Sequence, residues 1–207
     1  MIDNPFSELV SSFAAKTPTP GGGAAAAMSA CLGASLFLMA VRFSRGKKAT
    51  VEFDAQLSEA EGQIEQYLSR LLPMAERDCA SFDIVSRAYA LAKDSDERIA
   101  IRDRAIEEGM RGAMVVPGET IFLVRDVMRS MSTVLNYITK SIVSDLGSGA
   151  EILTAAAESA HLNVRINAKY LKDRATAEAA LRQNEVVIAD VRDFHEAFRA
   201  RVEHHLA

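Results

Sequence analysis

The sequence is poor in the residues that build metal sites and disulfide frameworks. It has two cysteines and four histidines among 207 residues, and the histidines form no metal-ligand pattern. Cys31 and Cys79 lie within apolar or helical patterns, His161 stands alone, and the other histidines fall in a polar C-terminal segment. A metal site needs several ligands at short spacings, so we expect no metal. A disulfide has little support because both cysteines lie in patterns typical of helices.

An excess of positive charge is also missing. The formal net charge is −4, which argues against general nucleic-acid binding. Apolar residues make up 49% of the chain and charged residues 25%, a composition typical of a soluble globular protein. At this length one domain spanning 1–207 is the default, and we expect it to be cytoplasmic.

Several catalytic signatures are absent as well. The glycine-rich stretch near the start is not followed by Gly-Lys-Ser/Thr, which excludes a Walker A loop. No β-branched strand precedes it, which argues against a Rossmann dinucleotide site. No Ser/His/Asp arrangement or catalytic cysteine context is found, so covalent nucleophilic catalysis is disfavoured.

No run of alternating β-branched residues is present, and apolar residues recur at helical spacing instead. The fold class predicted is all-α, an up-and-down bundle of about six or seven helices. The predicted helical segments are 3–16, 23–45, 51–92 interrupted at Pro73, 95–130 broken or bent at Pro117, 131–143, 150–172, and a final polar helix to about residue 202.

The segment 17–48 carries the most distinctive pattern. Pro18 and Pro20 favour an extended chain, and Gly21, Gly22 and Gly23 then allow another group to come very close. No charged residue follows until Arg42. The pattern predicts a helix whose bare N-terminus offers unpaired N–H groups to an oxygen of a ligand, although a plain turn before a helix would look the same.

The apolar run from 23 to 41 approaches the length of a transmembrane helix. Alanine, serine and glycine dominate it, and the amphipathic helices elsewhere need an apolar element to cover, so we interpret it as a buried central helix. A signal peptide is disfavoured because no basic region precedes the run. The helix predicted at 150–172 is equally rich in small residues. Two such helices cannot both be fully enclosed in one small bundle, which predicts a homodimer.

Polar residues inside apolar helical patterns are the candidates for chemistry, because their burial needs partners or a function. Asp78 and Asp83 fall on different faces of one predicted helix, and either could line a pocket or remain solvated. Asp145 follows an apolar run and could be a plain N-cap. Asn163 and Asn167 are four residues apart on one face of a small-residue helix, where an interface network is the alternative.

These motifs, taken in order, resemble one known family. They are Thr17-Pro-Thr-Pro-Gly-Gly-Gly23, Gly46-Lys47-Lys48, Asp78 with Phe82-Asp83, Ala88-Tyr89, Lys93, Val116-Pro117, Ser144-Asp145, the run from Leu162 to Ala168, and Asp173-Arg174. The chain resembles the cyclodeaminase family, which comprises the C-terminal domain of formiminotransferase-cyclodeaminase and the stand-alone bacterial methenyltetrahydrofolate cyclohydrolases. The resemblance covers almost the whole chain and implies an all-α dimer.

The resemblance implies folate one-carbon chemistry with a tetrahydrofolate derivative as substrate and no further cofactor. Asp145 and Asp83 are the carboxylates available to a pterin ring and to proton transfer, and we assign them as catalytic candidates. The cations Arg42, Lys47 and Lys48 would suit the anionic glutamate tail. The remaining predicted substrate-binding residues are Gly21, Gly22, Gly23, Asn163 and Asn167.

Three departures from the family pattern lie beside these motifs. Ala49 replaces a common aromatic residue, Arg42 to Ser44 replaces Asn-Leu-Thr, and Thr139 to Ser141 stands where relatives commonly have asparagines. They leave three hypotheses open. The first is a methenyltetrahydrofolate cyclohydrolase, placed slightly ahead because no formiminotransferase portion is present. The others are a formiminotetrahydrofolate cyclodeaminase that releases ammonia and a non-catalytic folate- or partner-binding helical dimer.

Overall fold

A computed structural model describes residues 4–206 of the chain. Within that range all regular structure is helical, which confirms the all-α prediction. Three short 3₁₀ turns, Val51–Phe53, Leu135–Tyr137 and Lys140–Ile142, join some of the longer elements. The α-helices are α1 (Phe6–Ala14), α2 (Gly22–Ser44), α3 (Asp54–Leu71), α4 (Met74–Tyr89), α5 (Asp96–Ala113), α6 (Val115–Val134), α7 (Val143–Tyr170) and α8 (Arg174–Leu206).

Two prolines explain why there are more helices than the six or seven predicted segments. Pro73 separates α3 from α4, as expected for a residue that cannot donate to the preceding turn. Pro117 lies in the first turn of α6, so the break between α5 and α6 falls at Met114, three residues earlier than predicted. The first turn is where a helix tolerates the missing N–H of proline.

Helix α2 is the centre of the bundle and packs most extensively against α7. A Cβ added to Gly33 would lie 2.7 Å from Leu153 Cγ, and one added to Gly149 would lie 2.7 Å from Phe37 Cδ1. Near the start of α2, Gly22 faces Asn163. The residue numbers therefore run in opposite directions along the two helices, which are antiparallel and in backbone contact at their glycines.

The start of α7 differs from the sequence prediction. The stretch 131–143 was predicted to be helical, but α6 ends at Val134 and two 3₁₀ turns follow. Residues 144–149, predicted to hold a helix end and a new cap, are the first turns of α7. The glycines there do not end a helix. They allow close helix packing, because Gly147 faces Val202 of α8 and Gly149 faces Phe37 of α2.

The C-terminal end of α2 follows its predicted form. The helix ends at Ser44, and Gly46 adopts a positive φ of 64°, which glycine allows without a Cβ clash. The buried hydroxyl of Ser44 accepts a hydrogen bond from the Thr139 backbone N–H at 3.0 Å, and the Thr50 hydroxyl donates to the Ser44 carbonyl. The first bond joins the end of α2 to the connection between α6 and α7, and the second joins it to the segment that precedes α3.

By length and composition alone, α2 could cross a membrane, and it is the single such helix in the described range. In the bundle, however, twelve of its 23 residues are buried by the other helices. This placement agrees with the interpretation of α2 as a central helix.

Helix α1 is held more loosely than the rest. Its N-terminal cap was predicted at Asp3 or Asn4, and Asp3 lies outside the described residues. Leu9 is the buried residue of this helix, whereas Phe6 is 75% exposed and Val10 is 51% exposed. Together with α2 and the junction of α3 and α4, it borders an open apolar groove of about 470 Å³.

The glycine contact between α2 and α7 predicts a position-specific effect of alanine. Gly33→Ala should destabilise the fold by about 1–3 kcal/mol, because its methyl group overlaps Leu153. Gly62→Ala in α3 is the matched control, since nothing lies within 4 Å of its added Cβ, and it should raise stability by up to about 1 kcal/mol. Urea unfolding of the two variants measures both values. Equal stability of the two variants would contradict this account of the helix contact.

Candidate functional site

A small cavity of about 180 Å³, lined by polar and apolar groups, lies where the proline-glycine loop (residues 17–21) and the start of α2 meet α4, α5 and α7. It is lined by Pro18, Thr19, Gly21, Gly22, Gly23, Asp78, Ser81, Phe82, Ala113, Asn163, Ile166 and Asn167. The structure thus brings five predicted substrate-binding residues into one place, namely the three glycines and the two asparagines. Asp78 is the one titratable side chain in this lining.

Asp78 projects from α4 onto the first turn of α2. Its carboxylate occupies the space above Gly23, where an added Cβ would lie 2.2 Å from Asp78 Oδ1. The carboxylate accepts a hydrogen bond from the Ala24 backbone N–H. Burial raises the pKa of Asp78 above its ordinary value, and the hydrogen bond from Ala24 opposes that rise. The first turn of α2 is therefore capped by a side chain from another helix, because Gly21 has none to offer.

Asn167 connects the cavity to the break between α5 and α6. Pro117 has no N–H, so the Ala113 carbonyl four residues earlier receives no helical hydrogen bond from it. Asn167 Nδ2 donates to that carbonyl at 3.0 Å. The Asn167 amide thus supplies the hydrogen bond that the Ala113 carbonyl cannot receive from Pro117, and it holds the end of α5 at the cavity wall.

Asn163 lies one turn earlier on α7, against the start of α2. Its Nδ2 donates to the Ser159 carbonyl at 2.9 Å, and an added Cβ on Gly22 would lie 3.1 Å from the same nitrogen. Within residues 4–206 no partner is found for Oδ1 of Asn163 or for Oδ1 of Asn167. The two amides therefore leave hydrogen-bond acceptors available at the cavity.

Four other predicted site residues lie at the other end of the bundle. Arg42, Lys47 and Lys48 are at or beyond the end of α2, and that helix is about 35 Å long. Asp145 lies in the first turn of α7, about 27 Å along that helix from Asn163. It is half-buried and sits inside the helix, so it is not the N-cap that the local sequence suggested. A single chain therefore presents the predicted site as two separate groups.

Within the second group the arginine and the lysines differ in their contacts. Arg42 pairs with Glu61 at 2.8 Å and also with Glu65, while Arg45 shares Glu61. The hydrogen bond from Arg42 is the main cause of a lowered pKa of Glu61. Arg42 is thus engaged in holding α2 to α3.

Lys47 and Lys48 are exposed, and their side chains have no hydrogen bond or ion pair to the described part of the chain. A stacked aromatic pair joins two of the 3₁₀ turns, since Phe53 follows the lysines in sequence and Tyr137 follows α6, with ring centroids 3.8 Å apart. Lys47 and Lys48 are therefore available to bind an anion at this end of the bundle.

The structure separates the two aspartates of α4. Asp83 is exposed and does not line the cavity, whereas Asp78 does. The two differ in their position around the helix. Asp78 lies three residues after buried Ala75 and seven before buried Val85, and these spacings place it on the buried face of α4. Sequence reasoning treated the two carboxylates as alternatives and favoured Asp83. Its catalytic assignment stays a prediction.

In the described range, no three His, Cys, Asp or Glu side chains come together in a group that could hold a metal ion. Both cysteines are free thiols. Burial raises the pKa of the Cys31 thiol to about 11, so this cysteine is a protonated apolar group at neutral pH.

Comparison with known proteins identifies the family. The sequence model described as Formiminotransferase-cyclodeaminase matches residues 5–186, most of the chain. The chain belongs to this family. A relative from Methylorubrum extorquens, methenyltetrahydrofolate cyclohydrolase, is 37% identical over 86% of this chain and 85% of its own. The formimidoyltransferase-cyclodeaminase of Gallus gallus is 29% identical over 84% of this chain, which spans 32% of that larger protein.

Among solved structures, the formiminotetrahydrofolate cyclodeaminase of Thermotoga maritima has the same fold. It superposes with a TM-score of 0.88 over 100% of this chain and 99% of its own, at 22% sequence identity. The family predicted from the motifs is therefore confirmed, and so is the helical fold.

The contact between Asp78 and Gly23 predicts a strong position effect within the glycine loop. Gly23→Ala should lower stability by about 1–3 kcal/mol, because its Cβ occupies the place of the Asp78 carboxylate. Gly21→Ala meets only the Pro18 carbonyl at 3.7 Å, an ordinary contact, and should cost less than about 1 kcal/mol. Thermal unfolding of both variants tests the difference, and a larger loss for Gly21→Ala would contradict the arrangement.

Proposed function

We propose that this protein is a methenyltetrahydrofolate cyclohydrolase, which converts 5,10-methenyltetrahydrofolate and water to 10-formyltetrahydrofolate. The observation that carries the proposal is a cavity with one carboxylate and no cation in its lining, in a chain 37% identical to a cyclohydrolase. The one-carbon bridge of the methenyl substrate is a cationic amidine. A pocket whose one charged group is negative suits such a centre electrostatically.

The reaction requires water to add to the bridging carbon and the bond from that carbon to N5 of the folate to open. Both steps move protons, which a carboxylate beside the carbon can accept and donate. The N–H groups at the start of α2 provide positive potential for oxygen at the reacting centre. The glycines permit this approach because no side chain covers the backbone of the loop.

A second candidate is formiminotetrahydrofolate cyclodeaminase. It is favoured by the Thermotoga maritima structure and by the Gallus gallus relative, whose names state that activity. Both reactions pass through a tetrahedral centre at the same carbon, so the cavity serves either one. The third hypothesis, a scaffold that binds folate without turnover, is what remains if neither substrate reacts.

The rest of the folate would be bound by the group at the far end of the bundle. Lys47 and Lys48 suit the anionic glutamate tail, and Asp145 suits the N–H and amine of the pterin ring. We retain Arg42 as a weaker candidate because two glutamates already engage it. No further cofactor is needed for a hydrolysis of this kind.

Homodimerisation would bring the two groups together. Leu32 lies next to the midpoint of α2 and is 61% exposed, and Phe43 on the same helix is 53% exposed. If the α2 helices of two copies pack antiparallel through Leu32, the lysines of one copy approach the glycine loop of the other. The apolar groove beside α1 would be covered in the same assembly. We expect this dimer to work in the cytoplasm, without membrane or nucleic acid.

The direct test of function follows the near-ultraviolet absorbance of 5,10-methenyltetrahydrofolate. Wild-type protein should accelerate its loss well above spontaneous hydrolysis. Asp145→Asn should lower kcat/KM about tenfold or more while leaving the unfolding temperature within a few degrees, because it removes a ligand contact rather than a core contact. Asp193→Asn on exposed α8 is the control. Ammonia release from formiminotetrahydrofolate without methenyl hydrolysis would support the cyclodeaminase instead.

The dimer has its own test. Leu32→Glu should convert the dimer to a monomer in sedimentation experiments and abolish turnover, while helical content is kept, because a charge replaces an exposed apolar contact. Val186→Glu is the matched control, since Val186 on α8 is 66% exposed and lies away from α2. A wild-type protein that sediments as a monomer at micromolar concentration and still turns over would rule out the shared site.

A further inference from the structure

We propose that Asp78 is the proton-transfer group of the reaction and acts on the one-carbon unit in the cavity. The proposal rests on the proposed function and deepens it, because it assigns a step to a residue that the motif reasoning left without a role. Its grounds are the position of the carboxylate, the absence of other charges around it and the kinds of atoms that line the cavity.

The position of Asp78 is fixed from two sides. The buried Gly23 leaves room for the carboxylate against the backbone of α2, and the Ala24 N–H donates to it. On α4 itself, Ala75 and Val85 are buried on the same side of the helix, which orients Asp78 inward. A carboxylate held by one backbone donor keeps lone pairs on its second oxygen available to a proton.

No other charged side chain lines the cavity. The lining residues from the proline-glycine loop, α2, α4, α5 and α7 are all neutral apart from Asp78. The raised pKa of Asp78 has burial as its main cause, and no neighbouring charge contributes to it. A carboxyl group in this setting is a stronger base than an exposed aspartate, which suits it to accept a proton from water.

Two amide oxygens add further hydrogen-bond acceptors at the cavity. Asn163 and Asn167 each use Nδ2 to donate to a backbone carbonyl, and no partner for either Oδ1 is found in residues 4–206. Two amide oxygens and one carboxylate favour a ligand that is cationic or rich in N–H groups. The methenyl bridge supplies the charge, and the tetrahedral adduct supplies hydroxyl donors.

The proton steps balance with Asp78 as the only protein group. The Asp78 carboxylate takes one proton from water as the water oxygen bonds to the bridging carbon, which gives a neutral tetrahedral adduct. The protonated Asp78 then donates to N5 as the bond from carbon to N5 breaks. The remaining hydroxyl proton leaves to solvent as the formyl carbonyl forms, so one proton is released overall.

The test compares single aspartate-to-asparagine variants in the methenyltetrahydrofolate assay. Asp78→Asn keeps an oxygen that can accept from Ala24, so folding should be preserved, while kcat should fall on the order of 10²–10⁴-fold. Asp83→Asn, on the same helix but outside the cavity, tests the competing assignment of Asp83, and Asp193→Asn on α8 should retain all activity. Activity of Asp78→Asn equal to that of Asp193→Asn would overturn the proposal, as would a loss confined to Asp83→Asn.

A pH profile of the wild-type protein gives a second test, which does not depend on whether a variant folds. Because the base must be ionised, kcat/KM should fall as the pH is lowered through the raised pKa of Asp78, at a pH above the ordinary range for aspartate. A rate that stays flat down to pH 4 would count against Asp78 even if Asp78→Asn does not fold. If wild-type protein accelerates neither folate reaction, the proposed function fails and the assignment of Asp78 falls with it.

Discussion

Helices α2 and α7 approach each other at two glycines, and this close antiparallel contact determines the geometry of the cavity. Gly33 and Gly149 let the backbones meet, which sets the register of one helix on the other. In that register Asn163 faces Gly22 at the start of α2. A larger residue at either glycine would move the amides of α7 away from the glycine loop. Stability and site geometry thus depend on the same packing.

The start of α2 shows how a chain without a local cap can complete a helix. Glycine at the N-cap position leaves the first N–H groups unsatisfied, and Asp78 of α4 accepts from one of them. The carboxylate is partly buried in that position, and burial raises the pKa of Asp78 although the hydrogen bond from Ala24 opposes the rise. A structural requirement of α2 and a chemical property of Asp78 therefore have one cause, the absence of side chains in the loop.

Much of the fold could be predicted from the sequence, because helical periodicity, prolines and glycines act locally. The helical class, the extent of α2 and the interruption at Pro73 followed from such signals. The start of α7 did not, since Gly147 and Gly149 look like a helix end until their contacts with α8 and α2 are known. The site was predicted in part. The glycines and asparagines lie together at one cavity. The sequence could not distinguish Asp78 from Asp83, because that depends on which face of α4 is buried. It also could not show that Asp145 lies far from the cavity, because that depends on how α7 packs in the bundle.

The hydrogen bond from Asn167 to Ala113 links α7 to the break between α5 and α6. The Ala113 carbonyl is open to Asn167 because Pro117 cannot donate to it. A residue with an N–H at 117 would compete for the same acceptor and release the amide of Asn167 from its present orientation. Substitutions at 117 and 167 should therefore be non-additive in a double-mutant cycle. In related chains, the two positions would be expected to change together.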